Sequence, residues 1–210
     1  MRFSKNDLIF IPLGGSGEIG MNCNLYHYNG SWIMIDLGVM FGNSSMSPNE
    51  LIMPDLSFLH ENKIKLGALI LTHAHEDHIG AVPYLYYQLN NVPIFTTSFT
   101  ASVLKRKFMS NDVKDYDIRL LDYNKQISIG EFVIEIFALT HSIPEPNAII
   151  LKTQKGNIFH TGDWKIDPEP LIGEPIDLEK LKKIKSDGID AMICDSTNVF
   201  DENPSGSEKE

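Results

Sequence analysis

The sequence predicts an α/β fold in one domain, and three observations carry that expectation. The opening is rich in strands and turns on a hairpin; a compact apolar run ends in a cluster of histidines and passes into a helix start; short apolar strands then recur, with few helices between them. With 210 residues, 42% of them hydrophobic, the chain is long enough for one good core.

Leu8–Leu13 reads as the first strand, and Asn24–Tyr28 with Ser31–Asp36 as a hairpin about Asn29-Gly30. The Gly, Asn, Ser and Pro between Phe41 and Pro54 predict a loop, and Pro54–Asn62 a short helix. Leu66–Leu71 is apolar throughout, as in a strand buried on both faces. Ile79–Leu89 has helical spacing, with Pro83 near the first turn, where a missing N–H is tolerated. Pro93–Thr96 predicts a strand and Ser98–Met109 a helix. Strands follow at Ile118–Leu121, Gln126–Ile129, Phe132–Leu139, Ala148–Thr153 and Asn157–Thr161. Leu178–Lys185 reads as a charged helix and Ala191–Asp195 as a last buried strand. The polar stretch Asp201–Glu210 reads as linker, which puts the domain at 1–198 and the linker at 199–210.

No apolar run approaches the roughly 20 residues of a membrane helix, and Met1–Asn6 lacks the apolar stretch of a signal peptide, so the expectation is a cytoplasmic protein with no membrane partner. Cys23 and Cys194 lie far apart and are expected to be buried thiols, with neither a disulfide framework nor a zinc ribbon. A net charge of −10 excludes a chain that holds nucleic acid through a broad basic surface, because phosphate neutralisation supplies most of such affinity. Any contact with nucleic acid then comes from bound divalent cations or from a basic domain outside these residues.

The chemistry is concentrated in His73-Ala74-His75-Glu76-Asp77-His78, directly after the buried strand. Alternation sends the imidazoles of His73 and His75 to one side, and Asp77 and His78 turn in from the next bend. Imidazole nitrogens and carboxylate oxygens gathered in this way suit zinc, manganese or related divalent ions. The bland reading is a polar loop whose histidines cap a helix. His141 and Asp163 each follow an apolar strand. Taken alone, His141 reads as a surface residue and Asp163 as a turn carboxylate, but the neighbouring cluster raises both to candidate ligands.

An HxHxDH cluster, an isolated His and then Thr-Gly-Asp resembles the motif order of the metallo-β-lactamase superfamily. Gly14–Gly20, Thr72–Gly80, Thr140–Pro144, His160–Lys165 and Asp195-Ser196-Thr197-Asn198 are similar to the ribonuclease J family of the β-CASP group, in blocks that span nearly the whole chain. That resemblance implies an αββα sandwich, incomplete here because a β-CASP domain is inserted after Asn198 and later strands return to finish it. It also implies two divalent ions, zinc first with manganese or magnesium as alternatives. His73, His75 and His141 would hold one ion, Asp77 and His78 the second, and Asp163 would bridge them. RNA would be the substrate, cut from the 5′ end and internally during processing and decay, and gripped mainly by the absent domain. The full-length protein would be a homo-oligomer.

Under this reading Asp77 is the candidate to take a proton from the attacking water, and Asp36, at its strand end, either orients a ligand histidine or is an ordinary turn residue. Gly15-Ser16-Gly17-Glu18-Ile19-Gly20 matches GxGxxG, but a strand rather than a helix is expected after it, so a loop bordering the metal site is the better reading. His27, His60 and His160 are assigned to ordinary surface or strand positions, and Tyr84, Tyr86 and Tyr87 to helix packing. The same ligand set would also serve a thioesterase or lactonase, or a metal-stabilised binding module without turnover.

Overall fold

The computed structural model describes residues 4–42, 50–203 and 205–209. In chain order the strands of the first half are β1 (Ile9–Gly14), β2 (Cys23–Tyr28), β3 (Ser31–Ile35), β4 (Met40–Phe41), β5 (Leu51–Ile52), β6 (Leu66–Ile70), β7 (Ile94–Thr96) and β8 (Ile118–Leu120). Those of the second half are β9 (Ile127–Ile129), β10 (Phe132–Ala138), β11 (Asn147–Lys152), β12 (Asn157–His160) and β13 (Ala191–Ile193). The helices are α1 (Ser57–Glu61), α2 (Glu76–Ile79), α3 (Val82–Leu85), α4 (Ser98–Ser110) and α5 (Leu178–Ser186).

Two sheets stack face to face. One runs β1-β2-β3-β6-β7-β8, antiparallel through the opening hairpin and parallel from β3 onward; the other runs β13-β12-β11-β10-β9. Side-chain alternation decides what each face meets. Ile33 and Ile35 of β3, with Ala68 and Ile70 of β6, point between the sheets onto Ile134, Ile136, Ile149, Leu151 and Ile158. Their neighbours Trp32, Met34, Leu69 and Leu71 point the other way, under Tyr86, Leu104 and Phe108 of the helical layer. On the far side Ala148, Ile150 and Phe159 pack beneath Leu181 and Ile184 of α5. The result is the expected αββα layering, with the central strands of each sheet buried on both faces by their own alternation.

Helix α5 shows its local causes plainly. The Asp177 side chain accepts from the N–H groups of Glu179 and Lys180 at 3.1 and 2.9 Å, and Lys183 and Lys185 sit at the carbonyl end, where positive charge is favoured. Ser207 and Glu208 hydrogen-bond the buried Asp167 carboxylate at 2.7 and 2.9 Å, so part of the polar 199–210 stretch lies on the domain surface.

Several expectations are corrected. Ile79–Leu89 is not one helix: α2 ends at Ile79, α3 covers Val82–Leu85 and a 3₁₀ turn takes Tyr86–Leu89. Long-range bonds cause the break. Val39 donates to the Glu76 carbonyl, Asn22 to that of Asp77 and Leu37 to that of His78, while the Ala81 N–H goes to Leu37 rather than into the helix. Pro83 has no N–H with which to resume the ladder. Of the three tyrosines only Tyr86 is buried; Tyr84 and Tyr87 are about half exposed, because the broken helix turns them outward. Strand β13 is not buried either. It pairs only with β12, at the rim of its sheet, and Met192 is 63% exposed. Cys194, just beyond it, is exposed, whereas Cys23 is buried as expected. Part of the loop expected at 41–54 forms the small β4–β5 ladder, and residues 43–49 lie outside the described residues. Among the described residues no helix is long and apolar enough to cross a membrane.

One close approach fixes α2 against β3. A methyl group on Gly38 would collide with the Asp77 carbonyl and lie against the His78 N–H, both of them backbone. Gly38→Ala is therefore expected to lower stability by about 3 kcal/mol, the upper end of ordinary overpacking. Chemical denaturation would read this directly, and an unchanged midpoint would contradict it.

Candidate metal centre

Neighbouring parallel strands β3 and β6 deliver their C-terminal ends side by side, and the site is built there. Past β6 the chain runs through Thr72 into His73 and His75, then enters α2 with Asp77 and His78 in its first turns. His141 arrives from the other sheet, on the loop joining β10 to β11, and Asp163 from the turn after β12. That turn requires Gly162. Its φ is +58°, and any side chain there would press on Thr72 at 3.1–3.2 Å.

The donor atoms converge. His75 Nδ1 lies 3.0 Å from His73 Nε2 and 3.2 Å from His141 Nε2, and Asp163 Oδ2 is 3.6 Å from His141 Nε2 and 4.0 Å from His73 Nε2. On the other side of Asp163, Oδ1 lies 3.1 Å from His78 Nε2, which is 3.6 Å from Asp77 Oδ2. Four donors held about 2.0–2.1 Å from one ion at tetrahedral angles stand about 3.3–3.4 Å apart, close to these separations. Two overlapping groups result, His73–His75–His141–Asp163 and Asp77–His78–Asp163, each with its donor atoms within 4.8 Å of one another. All six candidate ligands are thus brought together, in an arrangement compatible with divalent metal ions.

The fit extends to the surroundings. Asp36 is fully buried, and its carboxylate accepts from the Thr72 N–H and hydroxyl, both at 2.8 Å, and faces His78 Nδ1 at 2.7 Å. This leaves His78 Nε2 turned toward Asp163. Beside it opens a cleft of about 570 Å³, whose walls include Gly15–Gly20 on one side and Asp195–Thr197 on another. The glycine loop runs on into β2, with no helix after it, so the nucleotide-binding resemblance of GxGxxG fails and the loop borders the site as expected.

A family model described as the beta-lactamase superfamily domain matches residues 32–204. The chain belongs to that superfamily. A protein named ribonuclease J from Sinorhizobium meliloti is 43% identical over 209 residues, covering 97% of this chain and 37% of that protein. Another of the same name, from Corynebacterium glutamicum, is 38% identical over 97% of this chain and 28% of its own length. The chain thus spans about a third of the curated relatives it matches. A solved structure of a protein of unknown function from Enterococcus faecalis superposes with a TM-score of 0.67 at 17% identity, over 96% of this chain and 52% of the other. A metallo-beta-lactamase fold protein from Bacillus subtilis gives 0.54 at 14% identity, over 74% of this chain and 62% of the other. These likenesses confirm the metallo-β-lactamase fold.

Within this superfamily fold the electrostatics separate the histidines. Burial first, then the neighbouring imidazoles, hold His73 below its usual range; burial also lowers His75 and His141. Burial alone would raise the Asp163 carboxyl, but the hydrogen bond and charge of His78 outweigh it and keep the group ionised. Neutral imidazoles and an ionised carboxylate are what a metal ion requires. Burial would likewise lower His78, yet the Asp36 charge, with the hydrogen bonds its ring donates to Asp163 and Asp36, holds it at about 10.

His160 was not singled out from the sequence. It stands at the end of strand β12, one of the two positions expected for it, and is buried beside the cleft, with Nδ1 2.7 Å from the Tyr26 hydroxyl. Parity along β12 carries the signal: Ile158 points between the sheets, so His160, two residues on, does too. Burial pushes its imidazole down to about 4. The unfolded chain then takes up a proton near pH 6.5 that the folded chain refuses until about pH 4, so this group withdraws stability as pH falls through that window. At pH 5 its effect is about 2 kcal/mol. The metal-free wild type is expected to lose that much more stability between pH 7 and pH 5 than His160→Gln does, measured by denaturant melts; parallel losses would contradict the assignment.

Proposed function

We propose that this chain carries the catalytic centre of a metal-dependent ribonuclease of the ribonuclease J type, which hydrolyses RNA phosphodiesters both from the 5′ end and internally. The observation that carries the reading is one carboxylate, Asp163, shared between a three-histidine group and the Asp77–His78 pair, at the wall of an open cleft. The curated relatives, named ribonuclease J over 90–97% of this chain, support RNA as the substrate.

His73, His75 and His141 would hold one divalent ion, Asp77 and His78 a second, and Asp163 both; zinc suits this donor set best, with manganese and magnesium as alternatives. When bound, such ions supply Lewis acidity toward the phosphoryl oxygens and lower the pKa of an attacking water. The protein's own groups do the rest. Asp36 keeps the His78 ring in one orientation through Nδ1, which turns Nε2 toward Asp163 and Asp77. Asp77, a carboxylate lining the cleft, accepts the proton of the attacking water. The glycine loop lets a phosphodiester backbone approach closely, since it carries few side chains to exclude it. With a net charge of −10, the chain relies on the bound cations for positive charge at the scissile phosphate.

Incubation of the full-length protein with 5′-monophosphorylated RNA and divalent metal is expected to release nucleotides. Asp77→Asn should slow that release at least about 100-fold, the usual contribution of a positioned base. Turnover of a thioester or lactone with RNA left intact would overturn the proposal in favour of an acyl hydrolase.

A further inference from the structure

Five of the six candidate ligands are held in place by features already described, but His141 is not. It belongs to the second sheet, on the stretch Leu139–Pro146 between β10 and β11, while the histidines it must meet stand at the end of β6 in the first sheet. Among the described residues, its ring is 3.2 Å from His75 and packs edge-on to His73 and His75, all members of the cluster. Something must therefore register this loop against the first sheet. Two side chains lie where that could be done.

Asn147 is buried at the start of β11. Its Nδ2 donates to the Glu145 carbonyl at 2.6 Å and to the Thr72 carbonyl at 3.1 Å. Thr72 directly precedes His73, so this one amide joins the His141 loop to the strand end that carries the other two imidazoles. Glu145 makes the second tie. Its carboxylate accepts from the Ser98 hydroxyl at 3.0 Å and the Phe99 N–H at 2.8 Å, at the start of α4, which β7 of the first sheet leads into. The residue preceding α4, Thr97, makes no side-chain capping bond of its own, so the role falls to a residue 46 positions away. Glu145 also has φ +56°, a backbone conformation that is unfavourable for an L-residue and persists only where the surroundings hold it.

We infer that Glu145 and Asn147 are positioning residues for the metal centre: together they clamp the His141 loop to the first sheet and set the separation of His141 from His73 and His75. The inference rests on the two-metal reading proposed above. A purely structural cap on α4 would change melting temperature without discriminating between ions; a clamp on His141 weakens one ion selectively.

The test is titration of the intact protein with zinc against a competing chelator, with thermal melts alongside. Wild type is expected to bind two ions. Glu145→Ala should weaken one of them about 10- to 100-fold, as loss of a group supporting a ligand usually does, leaving the other within about threefold. Glu145→Gln, which keeps an acceptor oxygen, should restore the weakened ion to within about threefold of wild type. If Glu145→Ala does not fold, Ser98→Ala, an exposed change at the other end of the tie, should weaken the same ion severalfold. Two ions of wild-type affinity in Glu145→Ala, or in Ser98→Ala where that variant stands in, would overturn the clamp alone. A wild type that binds no zinc would instead overturn the two-metal reading beneath it.

Discussion

The buried Asp36 carboxylate is the constraint on which the site depends. It lies at the end of β3, wholly removed from solvent, and is satisfied by the Thr72 N–H, the Thr72 hydroxyl and His78 Nδ1. A carboxylate in so dry a place is costly to leave unpaired, so these three bonds must form together. In forming, they join the ends of two parallel strands to the first turn of α2 and orient one candidate ligand, His78. Asp36 itself has φ +61°, the turn by which the chain leaves β3 toward the Leu37–Val39 segment that takes up the carbonyls of α2.

From that junction the rest of the centre is a matter of close backbone approach. Gly38 lets the chain after β3 lie against α2, and Gly162 lets the Asp163 turn lie on Thr72. The inter-sheet core of isoleucines beneath them gives both sheets a fixed spacing, so the two loops of the second sheet reach the first at a defined height. Donor atoms placed by packed strand ends need little rearrangement to take a charge, which is what a preorganised site offers to a divalent ion.

How much of this was legible depends on the range of the interactions involved. The HxHxDH cluster, the strand before it and the parity that puts His73 and His75 on one side are local, and the structure follows them. Asp36 could be placed at a strand end but not assigned, because its partners Thr72 and His78 lie 36 and 42 residues away. The break in Ile79–Leu89 was hidden for the same reason: apolar spacing there is helical, and only the tertiary bonds from Asn22 and Leu37–Val39 divert the ladder. The burial of His160 is legible from its parity with Ile158, two residues earlier on the same strand, although its residue type alone points to no role. The exposure of β13 and Cys194 was not, because an apolar run says that a strand exists and not whether it has a neighbour on each side.

Metal content per chain, by elemental analysis after extensive dialysis, tests the central claim most directly when wild type is set beside Asp163→Ala. The account expects two divalent ions in the wild type and a reduced count in the variant, because one carboxylate serves both groups. An empty wild type, or a variant that keeps both ions, would contradict it.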